Sequence, residues 1–107
     1  MSVDVCEYND REGRSPFTAW FDELNSQAAA KVATALTRLA AGNFSNVKGV
    51  GSGIFEVRID FGPGYRVYFG KDGERVVILL GGGAKKRQQR DIENALSNWE
   101  DYKRRKA

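Results

Sequence analysis

The residues of this chain that could do chemistry on an anion gather between Glu56 and Arg90. Glu56, Arg58 and Asp60 alternate along one apolar run, Arg66 and Tyr68 lie on the next, and Lys85, Lys86, Arg87 and Arg90 follow a glycine triplet. Alternation at period two puts each set on one face of a strand. Guanidinium forks and lysines suit phosphate, a tyrosine ring offers a surface on which a base can stack, and a carboxylate can accept a proton. Their shared chemistry is that of a polyanion-binding face.

Composition removes several other chemistries. The chain has no histidine and one cysteine, Cys6, so Ser–His and Cys–His schemes and an internal disulfide are excluded. The usual zinc or iron ligand sets are also missing, and neither metal nor cofactor is expected. At 107 residues and net charge +3, residues 1–107 form a single domain. No apolar run approaches the roughly 20 residues of a membrane span, so a cytoplasmic protein without membrane contact is expected.

The elements that must position those residues follow from local pattern. Val3 and Val5 suggest a short first strand. Ser15-Pro16 caps a helix carrying Phe17, Trp20, Phe21 and Leu24, and Asn25-Ser26 starts another whose apolar positions run from Ala29 to Ala40 before Gly42. A loop over 42–53 then leads into a three-stranded meander. A final helix bears Ile92, Ala95, Leu96, Trp99 and Tyr102 on one stripe. The order β-α-α-β-β-β-α describes an α+β domain with a small, mainly antiparallel sheet and a helical hairpin on one face.

The hairpin turns predict a register. A three-residue loop Gly62-Pro63-Gly64 sets Asp60 opposite Arg66 and Arg58 opposite Tyr68; a two-residue Asp72-Gly73 turn sets Phe69 opposite Val76. Phe55, Val57, Ile59, Phe61, Tyr65, Val67 and Phe69 then share the apolar face. Glu56, Arg58, Asp60, Arg66 and Tyr68 share the outer one, with Tyr68 at its centre. An Asp60–Arg66 pair would explain both charges without any ligand, and an outer-face arginine should be removable at little cost.

Lys85, Lys86 and Arg87 are harder to explain that way, because cations in a first helical turn are opposed by the macrodipole. An anion shared with Arg66 supplies a reason. Lys103, Arg104, Arg105 and Lys106 lie where cations are favoured, and they read as a solvated tail.

The run Phe61-Gly-Pro-Gly-Tyr-Arg-Val-Tyr-Phe69 resembles the RelE/ParE toxin superfamily of bacterial toxin–antitoxin modules. So do Glu56-Val57-Arg58-Ile59, Leu79-Leu80-Gly81-Gly82-Gly83-Ala84-Lys85 and Gln88-Gln89-Arg90-Asp91-Ile92. The nearest likeness is to its "addiction module killer protein" branch, grouped with HigB-like and phage Gp49-like proteins. The resemblance implies a RelE-like fold and a ribosome-dependent mRNA endoribonuclease that inhibits translation without a metal.

It also implies roles. Arg66 and Lys85 would stabilise the oxyanion, Arg58 would contact phosphate, and Glu56 or Asp60 would be the base. Tyr68 would stack a base, and Lys86, Arg87 and Arg90 would bind RNA. Glu56 stands where RelE has a lysine, and no tyrosine stands near Asp91 where RelE has a catalytic one. The implied partners are a cognate antitoxin, a small helix-turn-helix protein, together with the ribosome and mRNA; operator DNA would be met only through the antitoxin. The alternative is a ParE-like inhibitor of gyrase, or an inactive toxin serving as co-repressor.

Overall fold

The helix starts are built as the sequence requires. Ser15 Oγ accepts from the Thr18 amide at 3.1 Å and Pro16 opens α1 (Pro16–Phe21); Asn25 Oδ1 accepts from Ala28 at 2.9 Å and opens α2 (Ser26–Ala40). Gly42, at φ 94°, takes the left-handed position just beyond α2. The computed structural model describes residues 2–106, in which α1 and α2 follow a first strand β1 (Asp4–Glu7) and precede four more.

Those four are β2 (Val47–Gly51), β3 (Ile54–Ile59), β4 (Tyr65–Asp72) and β5 (Val76–Ala84). A single 3-10 turn over Lys85–Arg87 leads into α3 (Gln88–Lys106). The five-stranded sheet has the order β1-β5-β4-β3-β2; β1 runs parallel to β5 and the remaining neighbours are antiparallel. The chain is thus an α+β domain whose sheet is one strand wider than the sequence suggests.

The extra strand is β2, in the segment read as a loop. It joins β3 through Ser52-Gly53, at φ 57° and 81°, the two positive values a type I′ hairpin turn demands. Glycines at 49 and 51 break the apolar alternation and hide it. Two register expectations also change. Ile59 pairs with Tyr65, so the β3–β4 loop has five residues, Asp60–Gly64, and Arg58 lies opposite Arg66 while Glu56 lies opposite Tyr68. This shift is by two, so the β3 and β4 side chains keep their expected faces. Phe69 meets Leu79 and not Val76, a shift by three that turns Val77 and Leu79 toward α1 and α2 and Ile78 and Leu80 toward α3. Asp72 pairs with Val76, leaving a three-residue loop, and a bulge at Leu80 lets Gly81, Gly82 and Gly83 continue β5 opposite Tyr68, Val67 and Arg66. The glycine triplet is therefore the last part of the strand.

Both sheet faces are covered. On one, α1 and α2 bury Phe17, Val32 and Leu39 against Val57, Val67, Phe69, Val77 and Leu79. On the other, α3 brings Ala95 and Trp99 onto Ile54, Tyr68, Ile78 and Leu80. Burying each large apolar side chain contributes about 1.5–3 kcal/mol. Glycines make the close approach possible: a Cβ at Gly70 would lie 2.6 Å from the Trp99 ring, and one at Gly82 2.4 Å from Trp20. Beyond the N-terminus of α3 one end of the polar face stays open.

Candidate phosphate-binding site

At that open end, β3 and β4 present Arg58 and Arg66 side by side. Like charges opposite one another on a sheet cost about 0.2–1 kcal/mol. Arg66 is 6 % exposed and rests on Glu56, which is 2 % exposed; their Nε and Oε1 lie 3.5 Å apart. That separation is an ion pair without an aligned hydrogen bond, since Nε is buried with no hydrogen-bond partner. Glu56 Oε1 also accepts from Gln88 Nε2 of α3 at 3.2 Å. A buried carboxylate held on two sides fixes the arginine that stands on it.

Lys85 reaches the same place because its amide donates to Gly64 O at 2.9 Å, tying the end of β5 to the β3–β4 loop. Lys48 arrives from β2. Together Lys48, Arg58, Asp60, Arg66 and Lys85 line an open cleft of about 380 Å³, with Ser45, Asn46, Val47, Ile59 and Gly64. Four cations face one cleft-lining carboxylate, Asp60. Among the described residues only Arg66 of the four forms an ion pair. The arrangement can hold an anion through one buried fork and three exposed cations, with a carboxylate beside it able to take a proton.

The expected residues divide accordingly. Arg58, Asp60, Arg66 and Lys85 come together. The expected Asp60–Arg66 cross-strand pair does not form, because the longer loop moves Asp60 past the end of the ladder. Glu56 lies behind Arg66 and outside the cleft lining, so it supports the arginine and does not face a ligand. Tyr68 is the clearest correction: at 1 % exposure beneath α3, its ring cannot stack on a base, and its buried hydroxyl has no partner. Desolvation, with Glu56 and Asp91 nearby, pushes that hydroxyl well above the ordinary tyrosine range. Lys86 and Arg90 are exposed and do not line the cleft, while Arg87 lines a neighbouring one with Trp20, Tyr65 and Asp91. Lys48 was missed along with β2, and the Ser52-Gly53 turn was the signal that could have found it.

The tail of α3 also departs from expectation. Arg104 and Arg105 pair with Asp101 at 3.4 and 2.9 Å, Lys106 pairs with Asp72, and Lys103 pairs with Glu100 at 3.2 Å. No helix among the described residues is long and apolar enough to cross a membrane, and no three potential metal ligands cluster.

Comparison with known proteins bears on the family and the fold. A protein of Haemophilus influenzae (strain Rd), named only as an uncharacterized protein, is 48 % identical over 80 residues, covering 74 % of this chain and 81 % of that one. A double arginine-to-alanine variant of the E. coli toxin RelE, solved in the free state, superposes with a TM-score of 0.66 at 14 % identity, over 91 % of this chain and 97 % of that one. The family described as "Phage derived protein Gp49-like (DUF891)" matches residues 19–100. The chain therefore belongs to the phage-derived Gp49-like family and has the fold of RelE.

Proposed function

We propose that this protein is the toxin of a toxin–antitoxin pair and that it arrests translation by cutting mRNA on the ribosome. One observation carries the reading: Arg66, locked on buried Glu56, opens into a cleft with three cations that have no ion pair among the described residues. The RelE fold and Gp49-like family support the toxin role.

The reaction that such a cleft serves is attack of a ribose 2′-oxygen on the adjacent phosphorus, with loss of the 5′-oxygen. The 2′-hydroxyl proton goes to Asp60, the carboxylate in the cleft lining. Arg66 and Lys85 stabilise the charge that builds on the phosphoryl oxygens, and Arg58 and Lys48 hold the flanking backbone. Arginine does not release a proton, so the leaving 5′-oxygen takes its proton from a cleft lysine. Glu56 and Gln88 position Arg66. The partners are a cognate antitoxin that covers this face, the ribosome and the message, all in the cytoplasm.

The test is to add the purified protein to translating ribosomes and map new 5′ ends on the message. Cuts that depend on Arg66 and on ribosome occupancy are expected. Growth arrest with intact messages and inhibited gyrase would overturn the reading in favour of a protein-target toxin. Absence of both effects, alongside operator binding with the antitoxin, would leave only a co-repressor.

A further inference from the structure

A second cleft of about 380 Å³ adjoins the first across the paired ends of β4 and β5. Gly64 and Lys85 line one; Tyr65 and Ala84, the paired residues beside them at the ends of β4 and β5, line the other. The basic turn serves both, with Lys85 in the first cleft and Arg87 in the second. A single anionic chain passing over Lys86 would meet both.

The second cleft differs in kind. One part of its wall is aromatic, the Trp20 and Tyr65 rings standing 6.1 Å apart at 62°, and Glu23 and Leu24 of the segment after α1 line it too. Asp91 faces it from the first turn of α3, packed so tightly on Gly83 that a Cβ there would lie 1.9 Å from Asp91 Oδ2. That oxygen is buried and has no hydrogen-bond partner. Burial pushes the Asp91 carboxyl up, against the pull of Arg87 and Arg90. With Oδ2 shut against Gly83, the other carboxylate oxygen, Oδ1, is the one Asp91 can offer to the cleft, where a carboxylate repels phosphate and attracts N–H groups. An aromatic wall suits a ring. Pairing with β1 stops at Leu79, so no strand covers this stretch of the β5 edge.

We propose that the second cleft is a nucleobase subsite. In it a base bearing an exocyclic amino group lies against Trp20 and Tyr65 and donates to Asp91, while Arg87 holds its phosphate. Adenine, cytosine and guanine offer such a group, whereas uracil has none: its one N–H on that edge, at N3, lies between two carbonyl oxygens that the carboxylate repels. The proposal rests on the reading of this protein as an RNA-cutting toxin, and it gives that toxin a preference at the nucleotide next to the cut.

The test uses the full-length protein and uridine pentaribonucleotides with one central base varied, read by anisotropy and by quenching of tryptophan emission. A central A, C or G should bind about tenfold more tightly than U, with quenching that Trp20→Phe abolishes. Asp91→Asn should bring all four within about twofold, because an amide also donates to uracil. Arg66→Ala should weaken all four equally and keep their ranking. Arg87→Ala, an exposed change that leaves packing alone, should weaken the A, C and G pentamers more than the U pentamer.

An unchanged ranking in Asp91→Asn, with cleavage on ribosomes intact, would overturn the subsite alone. Absence of RNA binding and of cleavage would overturn the RNA reading with it. Loss of antitoxin affinity in Asp91→Asn and Arg87→Ala, with RNA affinities untouched, would make the cleft a protein site instead.

Discussion

Helix α3 carries positive charge at both ends, and the two ends are built in opposite ways. At its C-terminus the fold satisfies the charge. Asp101 accepts from Tyr8 at 2.7 Å and from Arg105, Asp72 accepts from Tyr102 at 2.6 Å and from Lys106, and the macrodipole favours cations there. Before its N-terminus Lys85, Lys86 and Arg87 have no ion pair among the described residues, and the macrodipole opposes them. The difference separates charge used by the fold from charge kept for a ligand. A run of lysines and arginines in a sequence does not reveal which kind it is.

The largest effect that would break this contrast is at Arg66. Arg66→Ala should lower cleavage by at least about 100-fold, the scale of losing one oxyanion contact. Because Arg66 is buried on Glu56, it should also cost about 1–3 kcal/mol of stability, more than an exposed arginine would. Adding Glu56→Gln should restore the melting temperature and not the activity; restored activity would remove Arg66 from the site.

Salt sharpens the contrast next. With Lys48, Arg58, Arg66 and Lys85 on the backbone, RNA affinity should fall about 50-fold between about 50 and 200 mM salt, following the single-strand slope for four phosphate contacts. The melting temperature should barely move, and a flat affinity would mean that the cleft does not hold the backbone.

Asp101→Asn should have the reverse profile, lowering the melting temperature by about 5 °C while cleavage is unchanged. Hydrogen bonds from Tyr8 to Asp101 and from Lys106 and Tyr102 to Asp72 hold both carboxyls below their ordinary range. Their contribution is therefore complete above about pH 4 and is lost as pH falls through the folded values. Tyr102, pushed up to about 12 chiefly by its bond to Asp72, contributes fully below about pH 10 and loses that contribution between about 10 and 12. Thermal melts across pH should show both limbs. Asp101→Asn should flatten part of the acid limb, and Tyr102→Phe part of the alkaline one.

The smallest effect has the most telling sign. Lys85→Ala with Lys86→Ala should weaken RNA binding yet raise stability by about 0.3–1 kcal/mol per lysine, since it relieves charge that opposes the helix dipole. A drop in melting temperature would show these lysines to be structural.

The faces of β3 and β4 and the helix ends were legible in the sequence because period two and capping residues are local signals. Strand β5 came out turned over, because the loop after Asp72 is one residue longer than a two-residue turn and shifts the pairing by an odd number. The Asp60–Gly64 loop proved two residues longer than expected, yet an even shift leaves Arg58 and Arg66 on their face. The packing of α3 was less legible, because Glu56 and Tyr68 look like surface residues in an alternating strand and are in fact buried beneath a mostly polar helix. Gly70 held the clue. A glycine in the middle of a strand marks close approach by something large, and here that is Trp99. The neighbouring cleft was invisible for a different reason: Trp20, Tyr65 and Asp91 are far apart in the chain, and Trp20 alone reads as core.

The three tight glycine contacts have a consequence for descent. Trp20 fills the space a side chain at Gly82 would need, Trp99 that at Gly70, and Asp91 that at Gly83. None of these glycines can gain even a methyl group while its neighbour stays. In lineages that share this architecture, each glycine and its partner should be inherited as a couple and replaced together, so the pairs form a record of ancestry written in occupied volume.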